Sequence, residues 1–207
     1  MNSTDDDEVD NLIIVDLEDT CLDTMSGFVK WLAKHGRLTH AKGTQIQSRD
    51  NLGHWLGVDD ELARNWMREF CEQSWEWGAL YPYLDSNKVI PQIVKQDWDF
   101  IGVARGSSKV DRGTLRRANL ELIFPNIFRE LYSMSLDNSV YPLLADYQQS
   151  IFITANETVA VTAANAGHIT YLLDQPWNRN FSSLTVKRFQ NWEEIYFALA
   201  NLQQKLA

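Results

Sequence analysis

Short apolar runs alternate along the chain with segments of helical periodicity. The first run, LIIVD, ends at Asp16, and similar runs occupy residues 98–104, 150–155 and 168–174. Continuous runs of this length are typical of parallel strands that are buried on both faces. Helical periodicity is found in three segments: 111–124, 157–166 and 191–206. The alternation predicts an α/β fold, a Rossmann-like parallel sheet flanked by helices.

The interval between the first and second apolar runs has a different pattern. It spans about 80 residues without a convincing strand, while Phe28, Trp31 and Leu32 recur at helical spacing. We predict a small helical cap inserted after the first strand, at residues 25–83. Residues 11–24 and 84–207 would then form the core, and the polar residues 1–10 an acidic tail. The cap would cover the carboxyl end of the first strand, where open α/β sheets bind ligands.

Charge and cysteine content exclude several classes of function. The formal net charge of −9 opposes binding to extended DNA or RNA. No apolar stretch approaches the roughly 20 residues that a membrane span needs, so we expect a cytoplasmic protein without membrane association. Cys21 and Cys71 lie far apart and have no metal-ligand spacing. We therefore expect two ordinary buried thiols.

Two segments carry a resemblance to a known family. The apolar strand followed by Asp16-Leu17-Glu18-Asp19-Thr20 resembles the first motif of haloacid-dehalogenase-like (HAD-like) phosphatases. Residues 151–179 resemble the 5'(3')-deoxyribonucleotidase branch of that superfamily. Five positions in that stretch are in register: Gly167, Asp174, Pro176, Asn178 and Arg179. The resemblance implies a HAD-like core and phosphoryl transfer to an aspartate, with magnesium neutralising the phosphate.

The resemblance assigns the nucleophile to Asp16 and the general acid and base to Glu18. A carboxylate can accept a phosphoryl group covalently, but Glu18 replaces the family's aspartate and its extra methylene displaces the proton donor. Four further positions lack the family's phosphate-binding hydroxyl, its lysine and its two metal-binding acids: Ala104, Val140, Thr154 and Ala155.

These departures predict a catalytically degenerate, nucleotidase-like protein that acts as a protein-binding or regulatory factor, with no cofactor. The resemblance to the deoxyribonucleotidase branch implies a bacteriophage origin. The alternative is an active magnesium-dependent phosphatase or 5'-nucleotidase with Asp16 as nucleophile. In that case Asp19 could join Asp16 in a rebuilt metal site. Without a metal, a phosphate would face Asp16 and Glu18, and each pair of unit charges at 4 Å repels by about 4 kcal/mol at a dielectric of about 20.

The segment after the second apolar run allows two interpretations. Arg105, Gly106, Ser107 and Lys109 could form a new anion cradle, because glycine lets backbone amides converge and the basic side chains supply charge. They could equally form a plain loop, which is the interpretation we favour.

Five of the eight tryptophans fall within the predicted cap, more than a small helical layer easily buries. We expect at least one of Trp55, Trp75 and Trp77 to be exposed and to contact a protein partner, since tryptophan is enriched at binding hot spots. Nearby acids would give this surface an acidic rim suited to a basic partner: Asp59, Asp60, Glu72 and Glu76.

Overall fold

The computed structural model describes residues 11–38 and 52–206. The predicted acidic tail and residues 39–51 of the predicted cap lie outside these ranges. The strands are β1 (Leu12–Asp16), β2 (Asp99–Gly106), β3 (Phe128–Ser135), β4 (Ile151–Thr154), β5 (Ile169–Leu173) and β6 (Val186–Phe189). The helices are α1 (Thr24–Lys34), α2 (Leu52–Leu56), α3 (Asp60–Gln73), α4 (Ser86–Val94), α5 (Val110–Ile123), α6 (Tyr141–Leu144), α7 (Glu157–Asn165) and α8 (Trp192–Leu206).

The six strands form one parallel sheet in the order β3-β2-β1-β4-β5-β6. The predicted α/β class is therefore confirmed. β1 lies at the centre of the sheet and all five of its residues are buried, as its continuous apolar sequence predicts. Its last residue, Asp16, pairs in register with Val103 of β2. The carboxyl ends of β1, β2 and β4 thus meet at one edge of the sheet.

The interval between β1 and β2 is helical in its described part. It contains α1, α2, α3, a short 3₁₀ helix (Glu76–Gly78) and α4, and no strand longer than an isolated bridge occurs in residues 17–38 and 52–98. One cluster of buried apolar side chains includes Val15 of the sheet together with Phe28, Phe70 and Trp77 of this interval. The helices thus pack directly on the sheet, and the division into cap and core stays a prediction.

Polar side chains fix where the helices beside the site begin. The Asp23 carboxylate accepts a hydrogen bond from the Ser26 amide at the start of α1, over 3.1 Å. The Asn156 side chain accepts one from the Val159 amide at the start of α7, over 3.0 Å. Both helices therefore begin at the edge of the sheet where Asp16 lies. Within the described ranges, no helix combines the length and apolar character needed to cross a bilayer.

Candidate active site

Asp16 is fully buried at the carboxyl end of β1, with 0% of its surface exposed. Its Oδ2 atom accepts a hydrogen bond of 2.8 Å from the Thr154 hydroxyl at the end of β4. The Arg105 guanidinium, at the end of β2, lies 3.8 Å from the same oxygen. The Thr20 hydroxyl donates to the Asp16 backbone carbonyl. The two flanking strands thus bring a hydroxyl donor and a cation to the predicted nucleophile.

Glu18 is buried between two groups supplied by distant parts of the chain. Its Oε2 accepts a 2.7 Å hydrogen bond from the Arg105 backbone amide, and its Oε1 is 3.7 Å from the Arg116 guanidinium. Burial lowers the pKa of Arg116 to about 10, while the Glu18 charge acts to raise it. Arg116 therefore stays protonated at neutral pH, and Glu18 faces a buried positive charge.

Asp19 stabilises the turn that follows β1. Its φ angle is +61°, a left-handed conformation that aspartate tolerates better than most residues. Its Oδ1 accepts a 2.8 Å hydrogen bond from the Met25 amide in the first turn of α1, where a negative charge is favourable. Its carbonyl accepts another from the Gln175 side chain, also at 2.8 Å. These contacts give Asp19 a structural role in the start of α1.

The side chains around Asp16 do not fit a magnesium ion. Magnesium requires near-octahedral oxygen coordination, usually with one or two carboxylates. Here a cation, Arg105, already faces Asp16, and the next strand ends in Thr154 and Ala155, which carry no carboxylate. In the described part of the chain, no three His, Cys, Asp or Glu side chains are grouped as metal ligands would be. The predicted rebuilt pair of Asp16 and Asp19 is not accompanied by a third such ligand.

Two other positions singled out by the resemblance are apolar and buried. Ala104 lies inside β2, and Val140 precedes α6 and packs in the apolar cluster that contains Leu144 and Phe152. Neither side chain can donate a hydrogen bond to a phosphate or balance its charge.

The residues of the predicted anion cradle make separate contacts, and the cradle stays a prediction. Gly106 is required for packing, because a Cβ atom there would lie 2.5 Å from the Trp77 ring. The Ser107 hydroxyl accepts from the Lys109 amide, and the Lys109 ammonium pairs with Glu72 at 2.8 Å. Of the four residues, Arg105 is the one brought to the motif carboxylates.

The tryptophans of the predicted cap divide into exposed and buried ones. Trp75 is 65% exposed, as expected for one of the three candidates. Trp55 and Trp77 are buried, so assigning them to a partner surface was wrong; Trp77 packs edge-on against Phe70 and beneath Arg116. Gly106 leaves space for the Trp77 indole.

Two of the four acids expected around Trp75 are paired with lysines, and the other two accept backbone hydrogen bonds. Glu76 pairs with Lys34 at 2.6 Å, and Glu72 pairs with Lys109. Asp59 accepts from the Glu61 amide, and Asp60 accepts from the Gly53 amide. The expectation of a basic partner stays a prediction.

Sequence reasoning missed Arg116, the buried partner of Glu18. One signal could have found it, because Arg116 lies four residues before the buried Leu120 and so shares its inward face of α5. An arginine on the apolar face of a helix needs a buried acceptor or anion. Glu18 is the acid that faces Arg116 at 3.7 Å, and the Asn119 side-chain oxygen is its hydrogen-bond acceptor.

Comparisons with solved structures relate the whole architecture to HAD-superfamily hydrolases. A HAD-superfamily hydrolase from Ehrlichia chaffeensis superposes with a TM-score of 0.58 at 15% identity, covering 93% of this chain and 97% of that one. The HAD-hydrolase YfnB from Bacillus subtilis, solved with bound magnesium, gives 0.55 at 15% identity, covering 91% and 98%. The fold is HAD-like. A dehalogenase with an intermediate complex gives 0.60 at 13% identity, covering 94% and 98%.

Sequence comparison relates this chain to a bacteriophage protein. An uncharacterized 32.4 kDa protein in the Gp30-rIII intergenic region of Enterobacteria phage T4 is 25% identical over 197 residues, covering 88% of this chain and 67% of the phage protein. No model of a known protein family matches the sequence.

Proposed function

We propose that this chain is a catalytically inactive, nucleotidase-like HAD protein that acts by binding another protein. The observation that carries the proposal is the state of Asp16. Its carboxylate is fully buried, accepts a hydrogen bond from Thr154 and faces Arg105. A nucleophile has to approach the reacting phosphorus to roughly 3–3.5 Å. Oδ2 is held by Thr154 and Arg105, and Oδ1, which has no hydrogen-bond partner among the described residues, is buried out of reach of a substrate.

The second catalytic group of the motif supports the same conclusion. A general acid and base must reach the proton it transfers and must change its protonation state during the reaction. Glu18 instead accepts from the Arg105 amide through Oε2, and its Oε1 faces the Arg116 guanidinium in a buried site. The two acids of the motif thus lie where the family has its catalytic groups, but Asp16 faces Arg105 and Glu18 faces Arg116 as structural partners.

A role in protein binding is supported by the exposed indole of Trp75. A tryptophan that is 65% exposed is unusual outside interfaces, and indoles contribute strongly to binding hot spots. The similarity to a phage T4 protein supports a bacteriophage origin. We place the protein in the cytoplasm of the infected cell, as its sequence predicts.

Hydrolysis of phosphomonoesters tests the proposal directly. The purified protein and its Asp16→Asn variant are assayed with a generic phosphomonoester and with deoxynucleoside monophosphates at millimolar magnesium. We expect both to give the same background rate, because the native carboxylate is not available to attack. Magnesium-dependent turnover that disappears in Asp16→Asn would instead establish the active phosphatase.

A further inference from the structure

The two edges of the sheet differ in how they are protected from pairing with another strand. β6 is four residues long and carries Lys187 and Arg188. Short length and basic side chains are common devices that keep an edge from pairing. β3 is eight residues long, and the one register shift in its pairing with β2 falls at its start, beside Arg129. From Glu130 to Ser135 the strand contains no lysine, no proline and no bulge.

The outer side of β3 presents backbone groups to which a further strand could bind. β3 is the last strand on its side of the sheet, and none of its eight residues is buried. In residues 11–38 and 52–206, its one backbone partner outside β2 is the Asn138 amide, which donates to the Ser135 carbonyl over 3.2 Å. Pairing with β2 engages alternate backbone groups, so the others point outward. A regular edge about 20 Å long is therefore open to an extended chain.

A second copy of this chain can pair with that edge through the same strand. A two-fold axis perpendicular to the sheet makes the two strands antiparallel, so one residue of each strand faces its own copy. With the axis at Glu130, two carboxylates would face each other, which is destabilising. With the axis at Tyr132, Glu130 instead faces Met134. Leu131 then faces Ser133, and no like charges are opposed.

The regular segment of β3 favours the axis at Tyr132 over the neighbouring axis at Ser133. Both registers pair residues of this segment without opposing like charges. Two tyrosine rings that face each other across strands bury more apolar area than two serine hydroxyls. The Ser133 hydroxyl also lies close to α5, 2.9 Å from where a Cβ atom on Gly113 would be. Self-pairing is therefore expected to be centred on Tyr132.

We propose that this chain forms a reversible two-fold dimer in which β3 pairs antiparallel with β3 of a second copy, centred on Tyr132. The two sheets then join into one continuous sheet. Assembly ends at two copies, because the β6 edges that remain outermost are short and basic. The contact is small, so the dimer should dissociate at roughly micromolar concentrations instead of being permanent.

The net charge of the chain gives the dimer a characteristic salt dependence. Each copy carries a formal charge of −9, so two copies repel each other at long range. Added salt screens this repulsion, whereas backbone hydrogen bonds between strands are little affected. We therefore expect the dimer to become tighter as potassium chloride is raised from about 20 mM to about 300 mM.

Sedimentation velocity and hydrogen exchange test the proposal on the wild type. From about 5 μM to about 500 μM protein, the sedimentation coefficient should rise from that of a monomer to that of a dimer. At the higher concentration the outward amides of residues 129–135 should exchange more slowly, because they become hydrogen-bonded to the second copy. The amides of β6 should exchange equally at both concentrations.

Charged substitutions at the axis test the register. Tyr132→Lys and Tyr132→Glu should each weaken the dimer by about fivefold or more, because each places two like charges opposite one another. An equimolar mixture of the two variants should form a heterodimer, since the lysine of one then faces the glutamate of the other. Tyr81→Lys and Tyr81→Glu, at an exposed tyrosine of the interval between β1 and β2, change the charge equally and should leave the dimer unchanged.

Three results would overturn the dimer. They are a wild type that stays monomeric at about 500 μM, a dimer whose β3 amides exchange equally at both concentrations, and a mixture of the Tyr132 variants that forms no heterodimer. If these variants do not fold, the exchange pattern of the wild type decides the question. Asp16 takes part in none of these measurements, so their outcome is independent of the proposed lack of catalysis.

Discussion

The guanidinium carbon of Arg116 lies 3.6 Å from the ring centroid of Trp77. Because Arg116 belongs to α5 and Trp77 to the 3₁₀ helix of the interval after β1, this contact joins the sheet side of the molecule to the helices above it. A desolvated cation over an indole contributes about 2 kcal/mol. The Arg116 side chain also hydrogen-bonds to Asn119, whose amide contacts the Leu80 backbone.

Replacing this arginine should destabilise the fold strongly. Arg116→Met leaves Glu18 without its buried cation, and breaking such a pair costs about 3–5 kcal/mol. The double variant Glu18→Gln/Arg116→Met should recover part of that loss, because no buried charge remains unpaired. Urea unfolding measures the free energy of unfolding of the single and the double variant. Arg117→Met, at the exposed neighbouring position, should change the unfolding free energy by less than about 0.5 kcal/mol; equal losses in the two single variants would contradict a structural role for Arg116.

Magnesium should not stabilise the protein. A ligand that binds the native state raises its stability by RT ln(1 + [L]/Kd), so a very weak site has no measurable effect. Thr154 and Ala155, beside Asp16, carry no carboxylate that could bind magnesium. We expect the thermal midpoint to stay the same from zero to millimolar magnesium, with calcium as the comparison cation. A rise that is lost in Asp16→Asn or Asp19→Ala would show a metal site.

Gly106→Ala should be destabilising by about 1–3 kcal/mol, the usual cost of overpacking. The added Cβ would meet the Cζ2 and Cη2 atoms of Trp77 at 2.5–2.6 Å. Phenylalanine lacks those two atoms, so the same substitution should cost less in a Trp77→Phe background. Thermal or urea unfolding of the wild type, the two single variants and the double variant gives the coupling free energy between positions 77 and 106. Equal costs in both backgrounds would mean that the indole is not the obstacle.

Both thiols should be inert in the native protein. Cys21 and Cys71 are fully buried, and burial raises the pKa of the Cys21 thiol, which suppresses the reactive thiolate. An aromatic disulfide reagent should label neither cysteine in buffer at pH 8 and both in denaturing urea. Single Cys→Ala variants assign the signals. Rapid stoichiometric labelling of the folded protein would reveal an open site that the structure lacks at Cys21.

Trp75→Ala should impair binding to the proposed protein partner without affecting stability. Its indole is mostly exposed, so its removal costs the fold little. The partner, captured from infected or host cells and then purified, should bind the variant at least about tenfold more weakly, as is typical of a hot-spot residue. Leu122→Ala, on the exposed face of α5, is the matched control. If both variants bind equally well, Trp75 does not contact the partner.

The sequence predicts the inner strands of the sheet better than its edges. β1, β2, β4 and β5 are continuous apolar runs because both of their faces are covered, and this pattern identifies them without ambiguity. β3 and β6 are the two edge strands. Their sequences, FRELYSMS and VKRF, mix charged, hydroxyl and apolar residues, so neither strand can be predicted from an apolar run.

The carboxylates of the site were predictable, whereas their partners were not. Asp16 and Glu18 follow a recognisable strand, so their place at the edge of the sheet is a local property of the sequence. Arg105 comes 87 residues after Glu18, and its contact depends on the neighbouring position of β1 and β2. The prediction that at least one of Trp55, Trp75 and Trp77 is exposed holds for Trp75, but the sequence did not reveal that Trp55 and Trp77 are buried. Space beside an indole depends on distant glycines, which spacing along the chain does not reveal.

Ala155 follows β4 in a fully buried position, and its carbonyl accepts hydrogen bonds from both Trp177 and Asn178. A carboxylate introduced at position 155 alone would be a buried charge without a partner, because Arg105 already faces Asp16. It would not bind magnesium either, because Thr154 would still supply no second carboxylate. A metal-dependent reaction would therefore require several substitutions to arise together.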